Sequence, residues 1–227
     1  MKNVNSTYIF ESPYLVARKV IKLTLAILFL GLGTISHVSI AKLNTQSLEL
    51  IESPHFDIFR IAEVANLPTS RKIYVSHIDA DFDSAWLKEF RSKTTKTYRN
   101  RVLRDYSRTL EDQIKQKLIK SGWSVFDEPE EGILVLKTKL TDLYIFGPQV
   151  ITREHVLVTQ IGQSSVTFSL EGTDRHTIFE GEDKGIAGGI QNHFIETNEA
   201  INFSRFNRLM TLWATNIVYY ADTIIDG

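Results

Sequence analysis

Between Thr97 and Gly122 the apolar residues Tyr98, Val102, Tyr106, Leu110, Ile114 and Leu118 recur every four positions. That is the repeat of an α-helix with one buried face, and Leu103 and Ile119 widen the stripe. So long a stripe has to be covered by an apolar surface built from elsewhere in the chain. Gly122 stands just past the last periodic residue, where a left-handed cap costs glycine little. Lys117 and Lys120 suit the negative end of the helix dipole. The other face carries Arg99, Arg101, Arg104, Asp105, Arg108, Glu111, Asp112 and Lys115. From Arg91 to Lys120 ten basic residues face only three acids. Such a run is either a solvated face or a footprint for an anionic partner, with Arg99, Arg101, Arg104 and Arg108 as its core. No zinc-finger spacing or glycine-aromatic RNA-binding signature accompanies it, so nucleic acid is not the expected partner.

The N-terminal segment sets the address. Leu23–Val38 is strongly apolar, Arg18, Lys19 and Lys22 precede it, and Ser39-Ile40-Ala41 follows with small residues at its first and third places. These are the parts of a secretory signal. Two outcomes are expected, cleavage after Ala41 or retention as an N-terminal inner-membrane anchor, and both put the remainder outside the cytoplasm. The chain has no cysteine, which removes disulfides, thiolate metal sites, a cysteine nucleophile and a lipid-modified cysteine together. Residues 1–41 therefore read as a leader, 42–70 as a linker and 71–227 as one domain.

Along that domain, Lys72–Ile78 and Trp123–Phe126 read as short strands, with a turn of helix between Phe82 and Phe90. Ile133–Phe146 is a long strand or a bent pair. Val156–Ile161, Ser165–Glu171 and His176–Glu180 are further strands, separated by turns at Gly162-Gln163 and Gly172–Arg175. Gly181–Thr197 is glycine-rich and polar and reads as a loop. After Ser204, an expected N-cap, Phe206, Leu209, Met210, Trp213, Ile217, Tyr220 and Ile224 keep a helical period, with Tyr219 off the stripe. The expected fold is α+β. A two-layer sandwich would carry a mainly antiparallel sheet of about five strands, with the long helix (97–121) and a C-terminal helix (204–222) on one face.

The motifs give little chemistry. His77, Asp79, Asp81 and Asp83 alternate, and oxygen-rich clusters suit calcium or magnesium. Ser84 and Phe90 stand where a calcium loop needs glycine and glutamate, so that signature fails. The alternative is exposed acids at a strand end pairing with the basic helix. Gly181, Gly185, Gly188 and Gly189 follow no phosphate-loop order. The six histidines form no zinc-like pair, and no G-x-S-x-G elbow is present. No cofactor and no enzymatic activity are expected.

Several stretches carry a resemblance: KIYVSHIDADFDSAWLKEF, the helix ending LIKSGWSVFDEP, GILVLKTKLTDLYI, SVTFSLEGTDRHTIFEGEDK and the C-terminal amphipathic helix. Over about residues 72–225 the chain resembles the bacterial domain-of-unknown-function 3313 family of envelope lipoproteins. It departs from that pattern in having no cysteine after its apolar leader. The family has no established activity, so the resemblance implies a cell-envelope setting and no catalytic residues. The expectation is a non-enzymatic binding or assembly module, periplasmic or membrane-anchored, whose partner is an envelope protein or an anionic membrane surface. The alternatives are a secreted ligand- or metal-binding module using His77–Asp83, and a hydrolase. Oligomeric state is not legible.

Overall fold

The computed structural model describes residues 47–62, 70–147, 156–188 and 195–226. In chain order the elements are β1 (Leu48–Leu50), β2 (Ile58–Ala62), β3 (Lys72–Val75), β4 (Asp79–Phe82), α1 (Ser84–Phe90), α2 (Lys96–Lys120) and β5 (Ser124–Phe126). They continue with β6 (Leu134–Ile145), β7 (Val156–Val158), β8 (Gly162–Glu171), β9 (Thr177–Ala187), β10 (Ile195–Thr197) and α3 (Glu199–Asp226). The fold is α+β, with eight strands in one mixed sheet ordered β1-β2-β9-β8-β6-β3-β5, and β4 pairing β6 beside that path. A separate two-stranded sheet joins β7 to β10.

The long helix forms as its stripe demands. Thr95 caps it by accepting from the Tyr98 amide at 3.0 Å. At the other end Gly122 takes φ +86°, while the Trp123 amide reaches the Leu118 carbonyl at 3.0 Å and the Gly122 amide reaches Ile119 at 3.1 Å. This glycine closure satisfies carbonyls the helix leaves open. Tyr98, Val102, Tyr106, Leu110, Ile114 and Leu118 are all buried, whereas Ile119 is exposed and does not join the stripe. Helix α3 begins five residues before the expected Ser204. Asn198 supplies the cap, its Oδ1 accepting from the Ile201 amide at 3.0 Å. The buried residues of both helices share one core with the inner residues of the sheet.

The five-strand, mainly antiparallel sheet is corrected in three places. Residues 42–70 were expected to be linker, yet β1 and β2 pair antiparallel there, and β2 pairs β9. Phe56 and Phe59 hold the segment by packing into an aromatic cluster with Phe168 and Phe179. Next, β3, β5 and β6 run parallel. The mainly antiparallel expectation fails here because β5 is only three residues long, so few residues are needed to step back past β3. Finally, the expected turn at Gly162-Gln163 and much of the expected loop at Gly181–Thr197 are strand: β8 and β9 pair continuously from Gly162↔Ala187 to Leu170↔Phe179.

The glycines in those strands leave room for rings. A Cβ at Gly181 would lie 2.4 Å from Phe168 Cζ, and one at Gly185 would lie 2.4 Å from Leu209 Cδ1 and 2.9 Å from Trp213 Cζ2. Read locally these residues signal flexibility; in the fold they admit close approach of neighbouring side chains to a strand.

Candidate functional site

Where the N-terminal half of α2 meets the start of α3, the two helices leave a groove of about 620 Å³. That volume falls within the range of small-ligand sites. Its apolar surface comes from Tyr98, Val102 and Tyr106 of α2 and Phe203 of α3, and Asp105, Asp112 and Glu199 add carboxylates to the lining. The periods of the two helices account for this: residues four apart on α2 turn toward α3, while the charged positions between them fall at the margin. Phe203 meets Tyr106 edge-on at 5.5 Å between centroids. Burial, then the neighbouring Tyr98 and Glu199, push the Tyr106 hydroxyl far above its ordinary pKa, so it stays neutral. Further along, Gln113 Nε2 donates to Asn207 Oδ1 at 2.6 Å and ties the helices together.

The four arginines singled out in the sequence all find partners within the chain. Arg99 donates to the carbonyls of Thr94 at 2.6 Å and Arg91 at 2.9 Å. Arg101 binds Glu199 at 2.7 Å and lies over the Tyr98 ring. Arg104 pairs with Asp105 at 3.1 Å, and Arg108 approaches Asp112 at 3.7 Å. These four arginines are therefore matched along the helix edge, three by acids and Arg99 by backbone carbonyls.

The His77–Asp83 series is divided among separate tasks. His77 Nδ1 lies 3.1 Å from Glu111 of α2. Asp81 pairs with Lys139 at 2.9 Å. Asp83 caps α1, accepting from the Ala85 amide at 2.7 Å. Asp79 lies in register with Lys139 on the edge strand β4. The alternation breaks because Ser76–Ile78 interrupts the edge between β3 and β4, turning His77 toward the helix. Among the described residues, no three histidine or acidic side chains are grouped to hold a metal ion.

Two acids that the sequence did not single out hold the elements together. Glu111 accepts from Lys115 at 2.7 Å and from the Ile78 amide at 3.4 Å, besides facing His77. Burial alone would raise its carboxyl, but Lys115, the Ile78 amide and His77 more than offset this and hold it below the usual range. The spacing of Glu111 and Lys115 was the available signal. Asp183 accepts from Trp213 Nε1 at 2.6 Å. Burial pushes its carboxyl up; the Trp213 hydrogen bond opposes this, the nearby Asp57 adds to it, and the net shift is upward. Nothing local in the sequence marks that contact, which spans 30 positions.

No protein-family model matches the chain, and no curated protein is similar to it. Solved structures do match. The PelC dodecamer from Paraburkholderia phytofirmans is 9% identical, with 68% of this chain and 96% of that one covered at a TM-score of 0.35. An uncharacterised protein of known structure is 11% identical, with 69% and 94% covered at a TM-score of 0.41. At these values neither assigns an activity or an assembly to this chain. Among the described residues no helix is long and apolar enough to cross a membrane, and the apolar run Leu23–Val38 lies outside them.

Proposed function

We propose that this is an exported bacterial cell-envelope protein acting as a non-enzymatic binding or assembly module, with the α2–α3 groove as its working surface. In this reading α2 and α3 form one layer against the sheet, and their diverging ends hold an apolar segment of an envelope protein. The observation that carries it is the groove itself: an aromatic and aliphatic surface from two helices, with carboxylates in its lining. The apolar part of that lining suits an apolar side chain or a short amphipathic segment. The basic leader, apolar run and small-x-small exit support export. The internal partners of Arg99, Arg101, Arg104 and Arg108 favour a protein over an anionic lipid surface, because cations already engaged gain less from head groups.

Two measurements test the proposal. Cell fractionation places the chain in the periplasm or on the inner membrane; recovery only in the cytosol would refute export. A photo-activatable cross-linker at Thr109 captures a discrete envelope protein, and Ala200→Trp, which fills the groove, abolishes that adduct without changing the melting temperature. An adduct insensitive to Ala200→Trp would remove the groove from the function.

A further inference from the structure

Tyr106 lines the α2–α3 groove, and among the described residues its hydroxyl has no hydrogen-bond partner. The ring is held by Phe203 at 5.5 Å and Phe206 at 5.2 Å between centroids, and the residue is only 4% exposed. Among the described residues, the side-chain polar atoms sealed from solvent without a partner are Arg101 Nε, Gln113 Oε1 and Thr138 Oγ1. The Tyr106 oxygen is not one of them, so its tip is open, and what it opens on is the groove.

The other polar side chains of the lining are engaged within the chain. Glu199 binds Arg101 at 2.7 Å, Asp105 pairs with Arg104 at 3.1 Å and Asp112 with Arg108 at 3.7 Å. The Thr109 hydroxyl donates to the Asp105 carbonyl at 2.7 Å. Asn202 accepts from the Thr197 hydroxyl at 2.5 Å and donates to the Gly147 carbonyl at 3.3 Å. Tyr98 lies beneath the Arg101 guanidinium. Tyr106 is left as a donor set in an apolar surface. Burial, with Tyr98 and Glu199 nearby, keeps it neutral, so it offers its proton at any physiological pH.

We infer that Tyr106 is the polar anchor of the groove, its hydroxyl donating to an unpaired backbone carbonyl of an extended apolar segment. This deepens, and rests on, the reading of the groove as the seat of an envelope protein. A carboxylate is disfavoured as the acceptor, because it would enter beside Asp105, Asp112 and Glu199, whose arginines are already taken. An amide carbonyl accepts without bringing charge. Inside a helix the carbonyls are bonded to the helix's own amides, so a helix laid lengthwise in the groove has none for Tyr106. An extended segment carries a free carbonyl at each residue, while its side chains meet Val102 and Phe203. A carbonyl that displaces solvent from the hydroxyl keeps the hydrogen bond; an apolar group in the same place leaves the donor buried and unpaired.

The test titrates two probes into the full chain, followed by NMR in one mild detergent so that probe partition is common to parent and variants. N-acetyl-L-phenylalanine N-methylamide carries backbone carbonyls, and ethylbenzene carries none. Ala200→Trp blocks both. Tyr106→Phe weakens the amide by roughly 3–10-fold, the worth of one hydrogen bond, and leaves ethylbenzene unchanged or tighter. Having no partner to lose, Tyr106→Phe melts at or above the parent temperature. A parent that does not bind the amide, amide binding that survives Ala200→Trp, or equal amide affinity in Tyr106→Phe would each overturn the inference. So would a matching loss for ethylbenzene, or a lowered melting temperature, which would mean that the hydroxyl is bonded inside the chain. Each of these outcomes leaves the groove itself as a working surface, which the Thr109 adduct tests separately. An adduct insensitive to Ala200→Trp removes the groove from the function and takes this inference with it, whatever the probes do.

Discussion

Gly181→Ala separates a flexible loop from a packed strand. The added Cβ would sit 2.4 Å from Phe168 Cζ and 2.9 and 3.0 Å from the two ring atoms beside it. Carbon atoms in good contact stand about 3.5–4.0 Å apart, so the ring would have to retreat by roughly 1 Å. It has little room to do so, because Phe56 lies 4.5 Å from it, centroid to centroid, and Phe59 and Phe179 complete a buried cluster. Overpacking of this kind costs about 1–3 kcal/mol. Replacing glycine by alanine in an unstrained backbone returns about 0.4–1 kcal/mol through the unfolded chain. The net expectation is a loss of about 1–2 kcal/mol, or roughly 2–8 °C in melting temperature for a chain of this size. Thermal and urea denaturation followed by circular dichroism measure it. Adding Phe168→Leu, which shortens the side chain, should make the alanine less costly than it is in the parent, a coupling visible in a double-mutant cycle. In a mobile loop the sign reverses and Gly181→Ala stabilises. A neutral or raised melting temperature, or strict additivity with Phe168→Leu, would refute the packing account.

Asp183→Asn keeps an acceptor for Trp213. Because the folded pKa of Asp183 is raised, its contribution is fully present below the ordinary 3.8 and lost as pH rises through the folded value. The variant should therefore melt higher than the parent at pH 7 and lose that advantage near pH 3; a constant difference from pH 3 to 8 would refute the burial argument. Glu111 has the opposite sign: its folded pKa is lowered, so its contribution is present above the ordinary 4.5 and lost as pH falls through the folded value. Glu111→Gln should be less stable than the parent at pH 7, with the gap closing on acidification in the same melts. Thr138 Oγ1 is buried with no hydrogen-bond partner among the described residues, so Thr138→Val should gain about 1 kcal/mol in urea titrations. A loss of that size would mean that the hydroxyl is bonded in solution.

Local periodicity was enough to place α2, the body of α3, the first half of β6 and most of β8, because a repeat of 3.6 or 2 is set by neighbours along the chain; past Asp142, at φ 54°, the register of β6 shifts and Leu143 and Ile145 are buried instead of Tyr144 and Phe146. The α2 stripe shows this most directly: Leu110, Ile114 and Leu118 are fully buried, as their spacing requires. Other features were decided only by the tertiary structure. Strands β1 and β2 were not legible because five residues or fewer carry almost no periodic signal, and their pairing follows from Phe56 and Phe59 reaching an aromatic cluster more than a hundred positions away. Gly181 and Gly185 read as loop because the chain does not reveal which ring will press on each. The arginines of α2 read as free charge because Glu199, the partner of Arg101, lies 98 positions off. Patterns along the chain set which helical faces must be buried and which segments are helical. Contacts between distant residues decided the sheet order, the partner of each charge and the groove, since those free energies depend on separations in space that no local pattern encodes.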